Sequence, residues 1–236
     1  MHTHYLIRTI VSTVVLGAAL AVSGVVKADA ASVVDVQPKI DACTAAKDTA
    51  HDMAECARKL GLPESHTAIK TAQGIWKEQD ALHKQYKAEY NTLKAKTEAR
   101  MKQYPQATAI YEKLRARGVP EVATCAIMAN IMREVGGDTL NISPLIYGGA
   151  GGYYGMCQWS LYYNPSVAGA SVDGQIDYLM STIEGNMRMF GGSYEYFKSM
   201  SDVGAAARYF NDYYERGAHG DQRVANGYRA YEYFNS

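Results

Sequence analysis

The sequence predicts a mainly α fold: an N-terminal helical hairpin followed by a helical domain with a small β-hairpin insert. Three observations predict it. Apolar residues recur at spacings of three and four through most of the chain. Glycine and proline fall between those runs, where helices stop and restart. Only residues 140–162 break the helical pattern, with the glycine-rich stretch YGGAGGYYGMCQWS at 147–160. With 236 residues, 47% of them hydrophobic, the chain can bury one ordinary core and carry an accessory segment. Its 24 basic and 24 acidic side chains cancel, so no net field steers it to nucleic acid.

Residues 1–30 read as a signal peptide. Arg8 precedes an apolar run from Thr9 to Val26, and Ala28-Asp29-Ala30 offers the small residues that a signal peptidase requires, with cleavage after Ala30. An uncleaved membrane anchor is the alternative, and in both cases the remainder is expected outside the cell.

Residues 31–105 are expected to form the helical hairpin. From Val36 to Leu60, Ile40, Cys43, Ala46, Ala50, Met53, Ala57 and Leu60 mark one face of a helix. Gly61 stops it and Pro63-Glu64 restarts a second helix that runs to Tyr104. The stripe of that second helix is too polar for a strong coiled coil, so the segment reads as a stalk.

Pro105 marks the boundary to a second domain, residues 106–236. Gln106 to Arg117 is a helix with Ala107, Ile110, Tyr111 and Leu114 on one face, stopped by Gly118. Pro120-Glu121 opens EVATCAIMANIMREVGG, which is apolar nearly all round, as a helix buried in the middle of a domain must be. Its polar exceptions, Asn130, Arg133 and Glu134, gather at its C-terminal end. After the glycine-rich insert, helical periodicity returns at Ser171–Phe190, Asp202–Tyr214 and Val224–Phe234.

Glu134 is the strongest candidate for chemistry. Apolar surroundings and the negative end of a helix dipole both favour its neutral form, which suits a general acid. On spacing alone a salt bridge to a nearby arginine is an equally good reading. The four cysteines give a weaker signal. If Val36–Leu60 is one helix, Cys43 and Cys56 lie about 20 Å apart on nearly opposite faces and cannot pair. Cys125 with Cys157 is then the candidate disulfide, against two buried free thiols.

From Ile110 to Trp159 the chain resembles the phage tail lysozyme family, whose pattern is a helix ending in glycine, an alanine-rich helix ending I-x-x-N-x-x-x-E-S-G, and a glycine-rich G-x-G-x-x-Q-W. Gln175-Ile176-Asp177-Tyr178-Leu179 resembles the family's later Q-L-x-Y-L helix, AAARYFNDYYER at 205–216 its A-x-x-F-x-x-x-x-E-R segment, and Arg223 to Ala225 its closing arginine-to-alanine stretch. The resemblance implies a lysozyme-like fold and cleavage of the β-1,4 bond between N-acetylmuramic acid and N-acetylglucosamine in peptidoglycan, at the cell wall. It places the catalytic glutamate on Glu134. Val135 stands where serine is usual, and Ala129-Asn130 where Gly-Asn is common. Separately, no His, Asp or Glu cluster has metal-ligand spacing, so no metal or cofactor is expected.

Within that reading the glycine-rich stretch becomes a wall of the sugar cleft. Gln158 is expected to donate to substrate, Tyr154 to stack on a sugar, Gly155 to let the backbone approach the glycan, and Trp159 to line or anchor the wall. Asp138 and Glu215 are the candidate second carboxylates, and Glu215 can equally hold the fold through Arg216 or Arg223. A lytic transglycosylase would need neither, because the sugar's own 6-hydroxyl attacks. Two rivals remain: a wall peptidase built on Cys157, His219 and Asp221, and a non-catalytic wall binder using the tyrosines, 15 of whose 19 follow Pro105. The expected partners are glycan strands and, through the hairpin, cell-wall or secretion machinery.

Overall fold

In a computed structural model, residues 33–236 are described; the expected signal segment lies outside them. The described residues divide into two compact units, one up to Ala95 and one from Lys96. Among the described residues no helix is long and apolar enough to cross a membrane.

In the first unit, α1 (Val33–Lys59) turns back onto the N-terminal part of α2 (Thr67–Gln103). The pairing is antiparallel: Lys39 lies over Tyr86, Lys47 bonds Asp80 at 2.8 Å, and Arg58 bonds Glu64 at 2.6 Å. The buried seam is mostly alanine, with Ala50, Ala54, Ala57, Ala68 and Ala72 flanking Ile69. Small side chains let the two backbones approach, but they bury little apolar area each. Gly61, at φ +74°, ends the first helix as expected. The second does not restart at Pro63-Glu64. The chain makes one further turn, with His66 N–H donating to the Pro63 carbonyl, and α2 starts at Thr67. There the His66 ring nitrogen Nδ1 accepts from the Ala68 amide at 3.2 Å and does the work of a cap.

The second unit is built round a buried helix. After α3 (Pro105–Ala116) comes α4 (Glu121–Val135), of whose residues Ala123 to Met132 are all buried. It is packed by α3 and by three later helices, α6 (Tyr194–Ser199), α7 (Val203–Phe210) and α8 (Gly220–Asn235). Tyr111 stacks flat on Phe234 at 3.9 Å, closing one end of the core, while Phe197 and Phe210 fill the other side. Gly227 brings α8 close to α7, since a Cβ there would meet the Val203 carbonyl at 3.1 Å and the Ala207 methyl at 3.2 Å. That approach puts the polar residues of α8 against the end of α4.

The periodicity did not reveal α6, a single short helix capped by Ser193, whose hydroxyl accepts from the Tyr196 amide. The helix expected at 202–214 also changes character. It is α-helical only to Phe210, and Asn211–Glu215 continues as a π-helical turn ended by Arg216 at φ +55°.

The insert is a three-stranded antiparallel sheet of two-residue strands: β1 (Tyr147–Gly148), β2 (Tyr153–Tyr154) and β3 (Trp159–Ser160). Tyr147 faces Tyr154, which in turn faces Trp159. Strands this short do not hold themselves. They are held by α5 (Val172–Met189), which follows them, capped by Ser171.

Candidate active site

At the C-terminal end of α4 the structure gathers a polar cluster inside an apolar domain. Arg223, one turn into α8 and buried, places Nη2 2.5 Å from Glu134 Oε1 and Nη1 2.9 Å from Asn130 Oδ1. Its Nε donates to the Ala218 carbonyl at 3.4 Å. Asn130 is fully buried, and its amide nitrogen donates to the carbonyls of Ala126 and Ala207, so its side chain bridges α4, α7 and α8. A buried polar group without partners costs about 1–3 kcal/mol, and here each member satisfies the next. Of the two readings open for Glu134 in the sequence, the structure therefore contains the salt bridge. The pairing still leaves the glutamate side chain 23% exposed, and its Oε2 takes no hydrogen bond from any described residue.

Asp138 lies four residues further on, at φ +64°. Arg133 holds its Oδ2 at 2.8 Å and Asn226 holds its Oδ1 at 2.8 Å, while Arg229 takes its carbonyl. Both carboxylate oxygens are thus committed to the join between α4 and α8. This is a clasp, and it gives Asp138, a candidate second carboxylate, the duty of joining two helices.

Glu215 ends the π-helical turn. The residue as a whole is half-buried, but its carboxyl end is enclosed, and Oε1 has no hydrogen-bond partner among the described residues. Burial, reinforced by the charge of Glu134, pushes this carboxyl up to about 8, against smaller opposing effects of the Cys157 thiol and Arg223. The arginine beside it in sequence does not pair with it: Arg216 lies over the Phe190 ring at 4.0 Å. Nor does Arg223 form an ion pair with it; the guanidinium is turned to Glu134, Asn130 and the Ala218 carbonyl.

The expected disulfide is absent. Cys125 and Cys157 are buried free thiols. Cys125 sits nine residues before Glu134 on α4, a rise of about 13 Å, near Tyr111 and Glu121, whereas Cys157 sits at the Glu134 end beside Glu215. Burial first, then the carboxylates of Glu215 and Glu134, push the Cys157 thiol well above its ordinary value, the opposite of what a nucleophile needs. His219 is exposed, and Asp221 is spoken for by Arg208, so no cysteine triad forms.

The residues expected to meet substrate on the hairpin have structural duties instead. Tyr154 is 4% exposed, packs its ring on Tyr147, and donates its hydroxyl to the Ala170 carbonyl at 3.1 Å; it is not free to stack on a sugar. Gln158, at φ +47°, donates its amide to the carbonyls of Gly155 and Ile146, bracing the turn from within. Gly155 is buried at φ +85°, and a Cβ there would run into the Gln175 amide oxygen. Trp159 is the packing anchor, its indole donating to the Tyr214 hydroxyl at 3.0 Å and its ring set edge-on to Tyr178. The rings that do face solvent are Tyr147 and Tyr153 on the hairpin and Tyr162 and Tyr163 just after it.

Sequence reasoning missed Gln175 as a brace. From the first turn of α5, fully buried, it accepts from the Met156 amide at 2.7 Å and donates to the carbonyls of Pro144 and Ala170 at 3.0 Å each. One side chain thus ties the segment before the sheet, the hairpin itself and the segment after it. A glutamine within the apolar stripe of Val172, Ile176, Leu179 and Ile183 was the available signal. Gln175→Ala is expected to cost about 2–4 kcal/mol, because two backbone groups lose their only side-chain partner inside the fold. Urea unfolding followed by tryptophan fluorescence measures it, and an unchanged midpoint would show that the hairpin is held by packing alone.

Searches of curated proteins and of solved structures returned no match to the chain. A family model described as phage tail lysozyme does match, over residues 105–234. The matched segment spans more than half the chain and contains the buried helix, the hairpin and the arginine that meets Glu134. The chain belongs to the phage tail lysozyme family and is a lysozyme-like peptidoglycan hydrolase.

Proposed function

We propose that this hydrolase is a secreted, wall-associated glycosidase that cleaves the β-1,4 bond between N-acetylmuramic acid and N-acetylglucosamine, with Glu134 as the general acid. The observation that carries the reading is the state of Glu134: one oxygen fixed by a buried arginine, the other unbonded, on a side chain that still reaches solvent. A fixed carboxyl of this kind can present a proton to a glycosidic oxygen in one orientation, which lowers the ordering cost of the transition state. The proton passes from Oε2 to the leaving oxygen as the C1–O bond breaks, leaving an oxocarbenium-like sugar and a carboxylate facing Arg223. The exposed Tyr147 and Tyr153 offer ring faces on which sugars stack. Export is supported by Arg8, the apolar run after it and Ala28-Asp29-Ala30, and the helices Val33–Lys59 and Thr67–Gln103 offer polar surface to a wall or secretion partner.

One observation favours a second reading. Asp138 has both oxygens bound and Glu215 is enclosed, so neither stands ready as nucleophile or base. A mechanism that needs only one carboxyl, in which the muramyl 6-hydroxyl attacks C1, fits that arrangement. Mass spectrometry of muropeptides released from purified sacculi by residues 31–236 separates the two. Reducing ends are expected for the hydrolase and 1,6-anhydro ends for the transglycosylase. Release of free peptides alone would overturn the glycosidase reading.

A further inference from the structure

Glu215 is unused by the mechanism above, yet it lies where the mechanism is assembled. It closes a π-helical turn, a backbone irregularity that recurs at functional sites. The residue before it, Tyr214, meets Trp159 of the hairpin and Thr182 of α5, while Glu215 itself meets the Cys157 thiol. Consecutive residues of one turn therefore grip the hairpin at two points. The groups facing the Glu215 carboxyl are Cys157 from the hairpin, Glu134 from α4 and Arg223 from α8, with Tyr214 beside it on its own turn. Among the described residues no cation pairs with it, although an ionised carboxylate enclosed this way would demand one. Gly217 sharpens the point, because a Cβ there would run into Arg223 Nη2; the loop after Glu215 is shaped round the guanidinium in its place on Glu134.

We propose that Glu215 is a positioning residue that works as an uncharged acid: by staying neutral it leaves Arg223 to Glu134 and Asn130, and it seats the hairpin through Cys157. Loss of its proton to solvent places an anion beside Arg223. That anion competes with Glu134 Oε1 for the one guanidinium, and Glu134 loses its fixed orientation. The alkaline limit of the enzyme is set by this competition. The inference rests on Glu134 as the acid.

The test compares wild type, Glu215→Gln and Glu215→Ala, using release of soluble muropeptides from sacculi and thermal melts, both between pH 4 and 9. Glutamine is the shape of the neutral acid and cannot ionise. Glu215→Gln is expected within about 3-fold of wild type at pH 6 and to keep its activity above pH 8, where wild type falls about 10-fold; Glu215→Ala is expected to lose about 10-fold or more at every pH. The melts follow from linkage. A carboxyl raised in the folded state binds more protons there than in the unfolded chain, so its contribution to stability falls as pH rises from the unfolded value near 4.5 toward about 8. Glu215→Gln should melt with wild type at pH 4 and progressively above it toward pH 8.

Identical pH profiles for wild type and Glu215→Gln would overturn the proposal. So would a folded Glu215→Gln protein with activity lost at pH 6, since that would make the ionised group essential. If instead Glu134→Gln retained full activity, the identity of the acid would fall, while the melts would still report whether Glu215 is neutral.

Discussion

Arg223→Met is expected to lower stability by about 3–5 kcal/mol, the usual cost of leaving a buried ionic group without its partner. The substitution keeps the length and apolar stem of the side chain. It removes the donors to Glu134 Oε1, to Asn130 Oδ1 and to the Ala218 carbonyl at once. Asn130 would keep its own bonds to Ala126 and Ala207, so the loss should fall on the join between α4 and α8 rather than on the whole core. Chemical denaturation of wild type and variant measures the difference, and a change below about 1 kcal/mol would mean that the pair acts as a surface bridge does. Arg223→Lys is the sharper comparison for function. An ammonium can approach Glu134 or Asn130, but it has no planar fork with which to hold both, so the charge is retained while the orientation of the carboxyl is lost. Activity should therefore fall in Arg223→Lys by more than its stability does.

Glu134→Gln is expected to leave the fold intact and to lower the rate of reducing-end or anhydro-end release from sacculi by about 10²–10⁴-fold, the usual contribution of a positioned proton donor. The amide oxygen can still accept from Arg223, so the geometry is kept, but the buried guanidinium loses its counter-charge and stability is expected to fall by about 1–3 kcal/mol. Binding to intact walls should persist, because the exposed tyrosines are untouched. Equal rates for the two proteins would remove the proposed acid, and with it the glycosidase reading of this site; a wall binder would behave in that way. Measured together, the two variants separate orientation from proton supply: Arg223 lost costs the larger share of stability and the geometry, Glu134 lost costs chiefly the chemistry.

Much of the fold was legible in the sequence because helices announce themselves locally. The periodicity of residues 121–135, apolar on every face, gave both the helix and its central position. The same segment pointed to Glu134 through its few polar residues. The short helix at Tyr194–Ser199 escaped because six residues give too little period to read. The hairpin was placed correctly, but the duties that the structure gives Tyr154 and Gln158 were not read from the sequence. Tyr154 and Gln158 carry groups that could bind sugar or bind backbone with equal ease, and sequence does not say which surface they face. Only the braces beneath them, Ala170 and the Gly155 carbonyl, turn them inward. Elimination left Cys125 and Cys157 as a pair, yet nine residues of helix separate Cys125 from the end where Cys157 docks.

By itself the sequence determined the helical class, the stop and start points marked by Gly61, Gly118 and Pro120, the family likeness and the glutamate at the end of the buried helix. Each of these depends on neighbours within a few turns, where backbone geometry fixes spacing in advance. The tertiary structure alone decided that Arg223, 89 residues later, would be the group to hold Glu134, that Glu215 would be enclosed without a cation, and that Asp138 would be spent on joining two helices. Those assignments depend on charges whose distances are set by how α8 and the π-helical turn close on α4. Electrostatic energy varies with distance and with exclusion of water, and neither is written in the order of the residues.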